Sequence, residues 1–328
     1  GSGACARPRA ALRAAPMRIV RDHQFTAPED RGAAAAIGNF DGVHLGHTAV
    51  IDITRGEAAR LGAPLGVVTF EPHPREYFAP EAPPFRLTGP EARAHRLEKL
   101  GVERLYELKF NAAMAALTPE GFAAEVLRDG LGLRHAVVGS DFCFGKDRAG
   151  NVTDLARFGA AMGFGVTVAD MVTEGPTRVS STAIRRALSE GRPDDAKALL
   201  GHWHRIEGPV IGGEQRGRDL GYPTANMSID GLHPPRFGVY AVVVDVLDGP
   251  HAGSYHGAAS LGVRPMFGEN RANLETYILD FAGDLYGAHL SVALVAFLRP
   301  EEKFEGVDRL IAQMEADCAR ARAVLEAL

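Results

Sequence analysis

The sequence predicts a two-domain α/β protein, an open unit built on a parallel sheet followed by a small antiparallel β-barrel with a terminal helix. Three observations carry this. A chain of 328 residues exceeds an average compact unit and divides naturally into two cores. From residue 33 to about 200, short apolar runs alternate with helical patterns, as when helices join parallel strands. Beyond 200 the apolar stretches are separated by Gly/Pro turns, the spacing of a small barrel. The boundary falls between Gly191 and His204, giving units 17–198 and 199–328.

Taken in order, Gly1-Ser2-Gly3 reads as a tag remnant. The Ala/Arg/Pro-rich stretch to Pro16 lacks the long apolar region of a secretory signal, so 1–16 is read as a disordered arm and Met17 as the candidate start. Strands are expected at 33–37, 65–70 and 135–138, each running into a loop rich in Gly, Pro, Asp or His. Thr118-Pro119-Glu120 offers a helix cap with a first-turn proline, while Gly62, Gly101 and Gly163 stand where helices stop. In the second half the strand candidates are 239–247, 256–261, 274–281 and 290–298. Leu310, Ile311, Met314 and Cys318 then recur at helical spacing in an amphipathic tail, 307–328.

Composition narrows the function. Hydrophobic residues make up 46% and no apolar run approaches the roughly 20 residues that span a bilayer, so a membrane role is not expected. A formal net charge of -5 argues against a broad nucleic-acid footprint and leaves small molecules as partners, with local arginines free to hold an anion. Cys5, Cys143 and Cys318 are odd in number and far apart, which fits neither a disulfide framework nor a metal-ligand set, and a cytoplasmic location is expected.

The first candidate site is Gly38-Asn39-Phe40-Asp41-Gly42-Val43-His44-Leu45-Gly46-His47, placed where a strand ends and a helix running to Leu61 begins. Free N–H groups and the positive dipole end at such a junction suit phosphate, and Gly38, Gly42 and Gly46 allow close approach of the backbone. His44 and His47 are expected to converge on ATP phosphates and to stabilise charge building up at the α-phosphate. A glycine loop with two surface histidines is the plainer alternative; its position at the strand-to-helix junction favours the site. Ser180-Ser181-Thr182-Ala183-Ile184-Arg185 opens another helix with hydroxyl caps and a cation one turn on, and Ser181, Thr182 and Arg185 are candidate contacts for the outer phosphates.

The second candidate site begins in the loop around Gly212, Arg216, Gly217, Arg218 and Gly221, which alone reads as a surface turn but can wrap phosphates. Thr224 and Asn226, within Pro223-Thr224-Ala225-Asn226, offer hard oxygens to a magnesium ion bridging ATP phosphates. Alternation along the following strand puts Glu275 on one face with Asn273 and Tyr277, while Leu274, Thr276 and Ile278 point the other way. By itself Glu275 is a solvated strand glutamate.

These residues carry a specific resemblance. The loop 38–47 and the segment 180–185 resemble the HxGH and SSTxIR motifs of bacterial bifunctional riboflavin kinase/FAD synthetases. Residues 69–76, with His73 and Pro74, and 138–148, with Gly139, Asp141, Phe144 and Arg148, fall where that family places flavin-side and nucleotide-side loops. Cys143 departs from the family's basic or polar residue and is read as a small buried filler. Pro223-Thr224-Ala225-Asn226 is similar to the PTAN motif of riboflavin kinases, with Tyr222 in place of the usual Phe, and Glu275 matches the family's catalytic glutamate. The segment 262–267, containing Arg264, resembles a family loop in which Met266 replaces the commoner Thr, and Arg299 in 298–301 is a candidate flavin-loop contact.

The resemblance spans about residues 17–318. It implies a Rossmann-like nucleotidyltransferase domain and a six-stranded riboflavin kinase barrel, with ATP as co-substrate, Mg2+ as cofactor, and riboflavin, FMN and FAD as substrates and products. Glu275, His44, His47 and Arg185 are the implied catalytic residues. A kinase whose N-terminal domain is not catalytic, or a flavin-binding regulator without turnover, would be the alternatives. Retention of His44, His47 and Arg185 speaks against the first, and of Glu275, Thr224 and Asn226 against the second.

Overall fold

Strand β2 (Ala34–Ile37) lies at the middle of the N-terminal sheet and is buried at all four positions, so its sequence is a run of small apolar residues rather than an alternation. The computed structural model describes residues 16–212, 221–266 and 269–328, with side chains left aside at 264–270. Around β2 are β1 (Arg18–Val20), then α1 (Leu45–Leu61), β3 (Leu65–Glu71), α2 (Pro74–Phe78), α3 (Pro90–Lys99), β4 (Arg104–Lys109), α4 (Ala112–Ala116) and α5 (Pro119–Gly121). The chain continues through a π-helical turn, Phe122–Gly130, into β5 (His135–Gly139), α6 (Val152–Met162) and β6 (Gly165–Ala169). A short hairpin, β7 (Thr173–Glu174) and β8 (Thr177–Arg178), leads to α7 (Ser181–Ser189) and α8 (Pro193–Leu200).

The expected parallel sheet is present, with order β1-β4-β3-β2-β5-β6 and every pairing parallel. Side chains alternate across it: Ala33, Ala35 and Ile37 join one apolar layer with Tyr106, Phe122 and Leu155, and Ala34 and Ala36 join the other with Ile51, Leu97 and Leu105. The helix ends follow their caps. Asn151 and Asp154 close a reciprocal box at the start of α6, and Gly62 and Gly163 end α1 and α6 with φ of 59° and 88°, a backbone region glycine enters without a Cβ penalty.

Strand β4 was not among the expected strands. Its charged pattern hides a buried element, because Glu107 lies inside beside the fully buried Arg93, whose guanidinium also holds Glu71 at 3.0 Å. A buried guanidinium of this kind persists only when carboxylates and carbonyls surround it, here Glu71, Glu107 and the Asn39 carbonyl.

The second domain contains β9 (Arg205–Pro209), β10 (Ala225–Ser228), β11 (Gly238–Val246), β12 (Gly253–Met266), β13 (Glu269–Ile278) and β14 (His289–Arg299), followed by the terminal helix Val307–Glu326. These strands form an antiparallel sheet ordered β10-β13-β12-β11-β14-β9. A bridge between Ile211, just past β9, and Asn226 of β10 joins its two edges into a barrel. Met227, Val242, Leu261, Leu274 and Leu294 fill the interior. Outside, the terminal helix covers the barrel with Ala321 and Leu325 against Val239, Ala241, Ala258 and Val295. The amphipathic stripe thus lies toward the helix C-terminus: Cys318 packs against this layer, while Leu310, Ile311 and Met314 stay partly exposed.

Polar contacts join the two domains. His95 meets Glu207 at 2.7 Å, His202 reaches the Gly42 and Val43 carbonyls, and the His233 amide donates to the Arg86 carbonyl at 2.7 Å.

Candidate active sites

In the parallel sheet β2 pairs with β3 on one side and β5 on the other, so the chain leaves β2 and β5 in opposite directions. At such a switch point a crevice opens beyond the carboxyl ends of the strands. A cleft of about 950 Å³ lies there, large enough for a cofactor-sized ligand. It has two unlike ends. His44, His47, Ser180, Ser181 and Arg185 form a polar end, and Phe70, Phe78, Phe110, Phe122, Phe142 and Phe144 with Met114 form an apolar one.

The two histidines cap their own helix. His44 is the N-cap of α1, its Nδ1 accepting the His47 N–H at 3.3 Å, while His47 Nδ1 accepts the His44 N–H at 3.2 Å. The rings stack with centroids 3.6 Å apart. An Nδ1 that accepts has no proton, so the proton of each neutral ring is on Nε2, and both rings carry one N–H donor at the polar end of the cleft. Burial pushes His44 down to about 4, and burial together with His44 holds His47 well below the ordinary histidine range. Both act as neutral donors. Gly46 between them leaves room for the ring, since a Cβ there would lie 3.0 Å from the His44 ring, which would have to shift.

Opposite, Ser180 caps α7 by accepting the Ala183 N–H, and Ser181 donates to the Asp41 carbonyl. Arg185 lines the cleft, yet its guanidinium is bound to the Asp41 carboxylate at 3.0 Å and to the Phe85 carbonyl at 2.6 Å. Asp41 lines the cleft from within the fold: its carboxylate is 4% exposed and accepts from Leu87 N, Thr88 N and Arg185, so it holds the loop to α7. Gly42 turns away from the cleft, its N–H on the Thr88 hydroxyl and its φ of 82° shaping the turn. Thr182 is exposed and outside the lining. Cys143, expected as a buried filler, is partly exposed and lines the cleft.

Gly38, Asn39, Phe40, Gly139, Asp141, Phe144, Arg148, His73 and Pro74 all line the cleft. Asp141 is paired with Arg178 of the β8 edge at 3.0 Å. His73 caps α2, its Nδ1 accepting the Arg75 N–H, and burial followed by the nearby Arg86 and Arg93 lowers it to about 3, which makes it a third neutral Nε2–H donor.

On the barrel, register assembles the second site. Asn226 of β10 pairs with Glu275 of β13, which in turn pairs with Ser260 of β12, so the three share one face across neighbouring strands. Tyr277, two residues along that face, contacts the Tyr222 ring at 5.1 Å. Thr224 precedes β10 and is half-buried, Asn226 is 5% exposed, and its amide oxygen accepts from Asn273 at 3.5 Å. Ala225 points the other way, into the barrel core, and can offer only its backbone. Arg299 is bound by Asp317 of the terminal helix through both carboxylate oxygens, which makes it a strand-to-helix clamp. Gly212, Gly221 and Pro223 are exposed at the loop margins. Arg216, Gly217 and Arg218 lie outside the described residues, as does the Arg264 side chain.

The FAD synthetase family matches residues 26–183 and the riboflavin kinase family matches residues 200–325. A Pseudomonas fluorescens protein named bifunctional riboflavin kinase/FMN adenylyltransferase is 44% identical over 94% of this chain and 98% of its own, and the Escherichia coli K12 protein of the same name is 38% identical over 93% and 97%. The chain belongs to this bifunctional family. Both halves match, which favours the two-activity reading over a kinase with a non-catalytic N-terminal domain and over a flavin-binding regulator. A crystal structure described as a macrolide-efflux protein from Streptococcus pneumoniae has the same fold, with a TM-score of 0.77 and 30% identity over 92% of this chain and 97% of that one. Among the described residues no helix is long and apolar enough to cross a membrane.

In the FAD synthetase domain, sequence reasoning missed most of the aromatic wall. Phe70, Phe110 and Phe122 meet edge-on or tilted at 5.8 and 6.1 Å, and Phe142 stacks on Phe144 at 5.5 Å. Phe70, Phe142 and Phe144 fall within the segments 69–76 and 138–148, whereas Phe78, Phe110 and Phe122 come from a helix end, the residue after β4 and a helix start, with no shared motif to mark them.

Neutral burial of histidine has a consequence for stability. His204 is fully buried and lowered to about 3, and His44 to about 4. An unfolded histidine titrates near 6.5, so between that pH and the folded value the unfolded chain binds more protons, and stability falls as pH drops below about 6.5 while staying flat above it. At pH 5 His204 alone costs about 2 kcal/mol by this linkage. The thermal midpoint is expected to be several degrees lower at pH 5 than at pH 7.5, and equal midpoints would contradict neutral burial.

Proposed function

We propose that residues 17–198 transfer the adenylyl group of ATP to FMN in the β2/β5 cleft, and that residues 199–328 phosphorylate riboflavin at the Asn226/Glu275 face of the barrel. The two-ended cleft carries the first assignment. Its aromatic wall accepts the flat isoalloxazine ring by offset or edge contacts, and its polar end faces the phosphates. An FMN phosphate oxygen attacks the α-phosphorus of ATP, the bond to the β,γ-phosphates breaks, and pyrophosphate leaves. The Nε2–H donors of His44 and His47 then bond oxygens on which charge accumulates, in a fixed geometry set by their mutual cap. Arg185, tethered by Asp41, supplies positive potential from behind.

At the barrel, Glu275 takes the proton of the terminal ribityl hydroxyl as its oxygen bonds to the γ-phosphorus and ADP leaves. Thr224 and Asn226 beside it are neutral hard oxygens, a donor set that suits Mg2+ when phosphate oxygens and water complete its shell. Magnesium held there would neutralise charge on the ATP phosphates.

The pure protein with riboflavin, ATP and Mg2+ is expected to yield FMN and then FAD on chromatography. Unchanged riboflavin would sink the second assignment, and supplied FMN left unconverted in the presence of ATP and Mg2+ would sink the first.

A further inference from the structure

Between the domains, behind the histidine loop and apart from both sites, lies a small cavity of about 50 Å³. Arg96 and Lys99 of α3 enter it from one domain, and His202 and Arg205 from the other. Among the described residues Arg96 and Lys99 form no ion pair, and the Arg96 Nε is buried with no hydrogen-bond partner. Arg205 is paired with Asp245, and Glu207 with His95 and the Ser291 hydroxyl, so the nearby carboxylates are already engaged. Burial acts against the charge of Arg96, and the nearby charge of Arg205 adds to this. Two guanidiniums brought together without a shared anion repel.

His202 points to the same need independently. Its Nδ1 faces the Trp203 carbonyl at 3.0 Å and its Nε2 faces the Gly42 and Val43 carbonyls at 3.1 and 3.2 Å. A neutral ring donates from one nitrogen only, and only the imidazolium satisfies both sides. Burial and the charge of Arg96 favour the neutral ring instead. A neighbouring anion removes that conflict.

We propose that this cavity is an anion site, taking one inorganic phosphate between Arg96 and Arg205 and thereby bridging the two domains. The volume is a few times the roughly 10–15 Å³ that one water needs, which admits a tetrahedral oxyanion and not a nucleotide. Arginine forks on two sides suit its geometry.

The test uses the full chain. With ionic strength matched by sodium chloride, inorganic phosphate at about ten times its dissociation constant is expected to raise the thermal midpoint by about 3 °C. Arg96→Gln loses that increment, Arg96→Lys keeps at least half, and the exposed Lys99→Gln, which does not threaten folding, loses part of it. Arg148→Gln, altered in the large cleft, keeps it. In chloride alone Arg96→Gln unfolds no lower than wild type, because a repelled guanidinium has been removed; a residue with a purely structural role would show a drop. In crystals soaked with tungstate, the anion is expected within hydrogen-bond reach of Arg96 and Arg205. No phosphate effect on the wild type, an equal increment in wild type, Arg96→Gln and Lys99→Gln, or tungstate confined to the large cleft would each overturn the proposal.

Discussion

Glu275→Gln is expected to slow riboflavin phosphorylation about 10³-fold while leaving the conversion of supplied FMN to FAD at the wild-type rate. Glu275 sits between Asn226 and Ser260 in the middle of a hydrogen-bonded sheet, so exchanging a carboxylate oxygen for an amide leaves strand register and barrel packing in place. What is lost is the ability to accept the proton of the ribityl hydroxyl. The loss therefore belongs in kcat, with the KM for riboflavin changed by less than about threefold, because an amide still hydrogen-bonds the alcohol. A variant that keeps a tenth or more of the wild-type kcat would remove Glu275 from the role of base. An unchanged thermal midpoint controls for folding of the barrel, and intact FAD synthesis in the same sample controls for the other domain.

Much of the architecture was legible in the sequence, and the exceptions have physical causes. The strands flanking the glycine loops could be read because they are buried on both faces and so are continuous apolar runs. Strand β4 could not, because Glu107 interrupts the pattern and is tolerated through Arg93 and Arg21, partners on other parts of the chain. The face shared by Asn226 and Glu275 combined a motif with strand alternation; the pairing of their strands is tertiary. Asp41 and Arg299 look like ligand contacts in a motif, yet each is engaged by a partner far along the chain, Arg185 for Asp41 and Asp317 for Arg299. Charge in a motif cannot reveal whether a counter-charge awaits it in the fold.

The histidine pair shows the same limit from the opposite side, and it leads to the second large effect. His44→Ala is expected to lower FMN adenylylation by about 10²- to 10³-fold, the usual cost of one donor aimed at a developing oxyanion, with riboflavin phosphorylation unchanged. The substitution also removes the N-cap of α1, worth about 1 kcal/mol, so a frayed loop is a second route to the same loss of rate. His44→Asn separates the two causes. Asparagine is a strong N-cap whose side-chain oxygen accepts the same backbone N–H, but it has no ring to extend an Nε2–H donor toward the phosphates. The asparagine variant should therefore restore the thermal midpoint lost in the alanine variant and leave FAD synthesis impaired. If His44→Asn recovers both stability and rate, His44 serves the helix and not the reaction, and the neutral donors of the cleft reduce to His47 and His73.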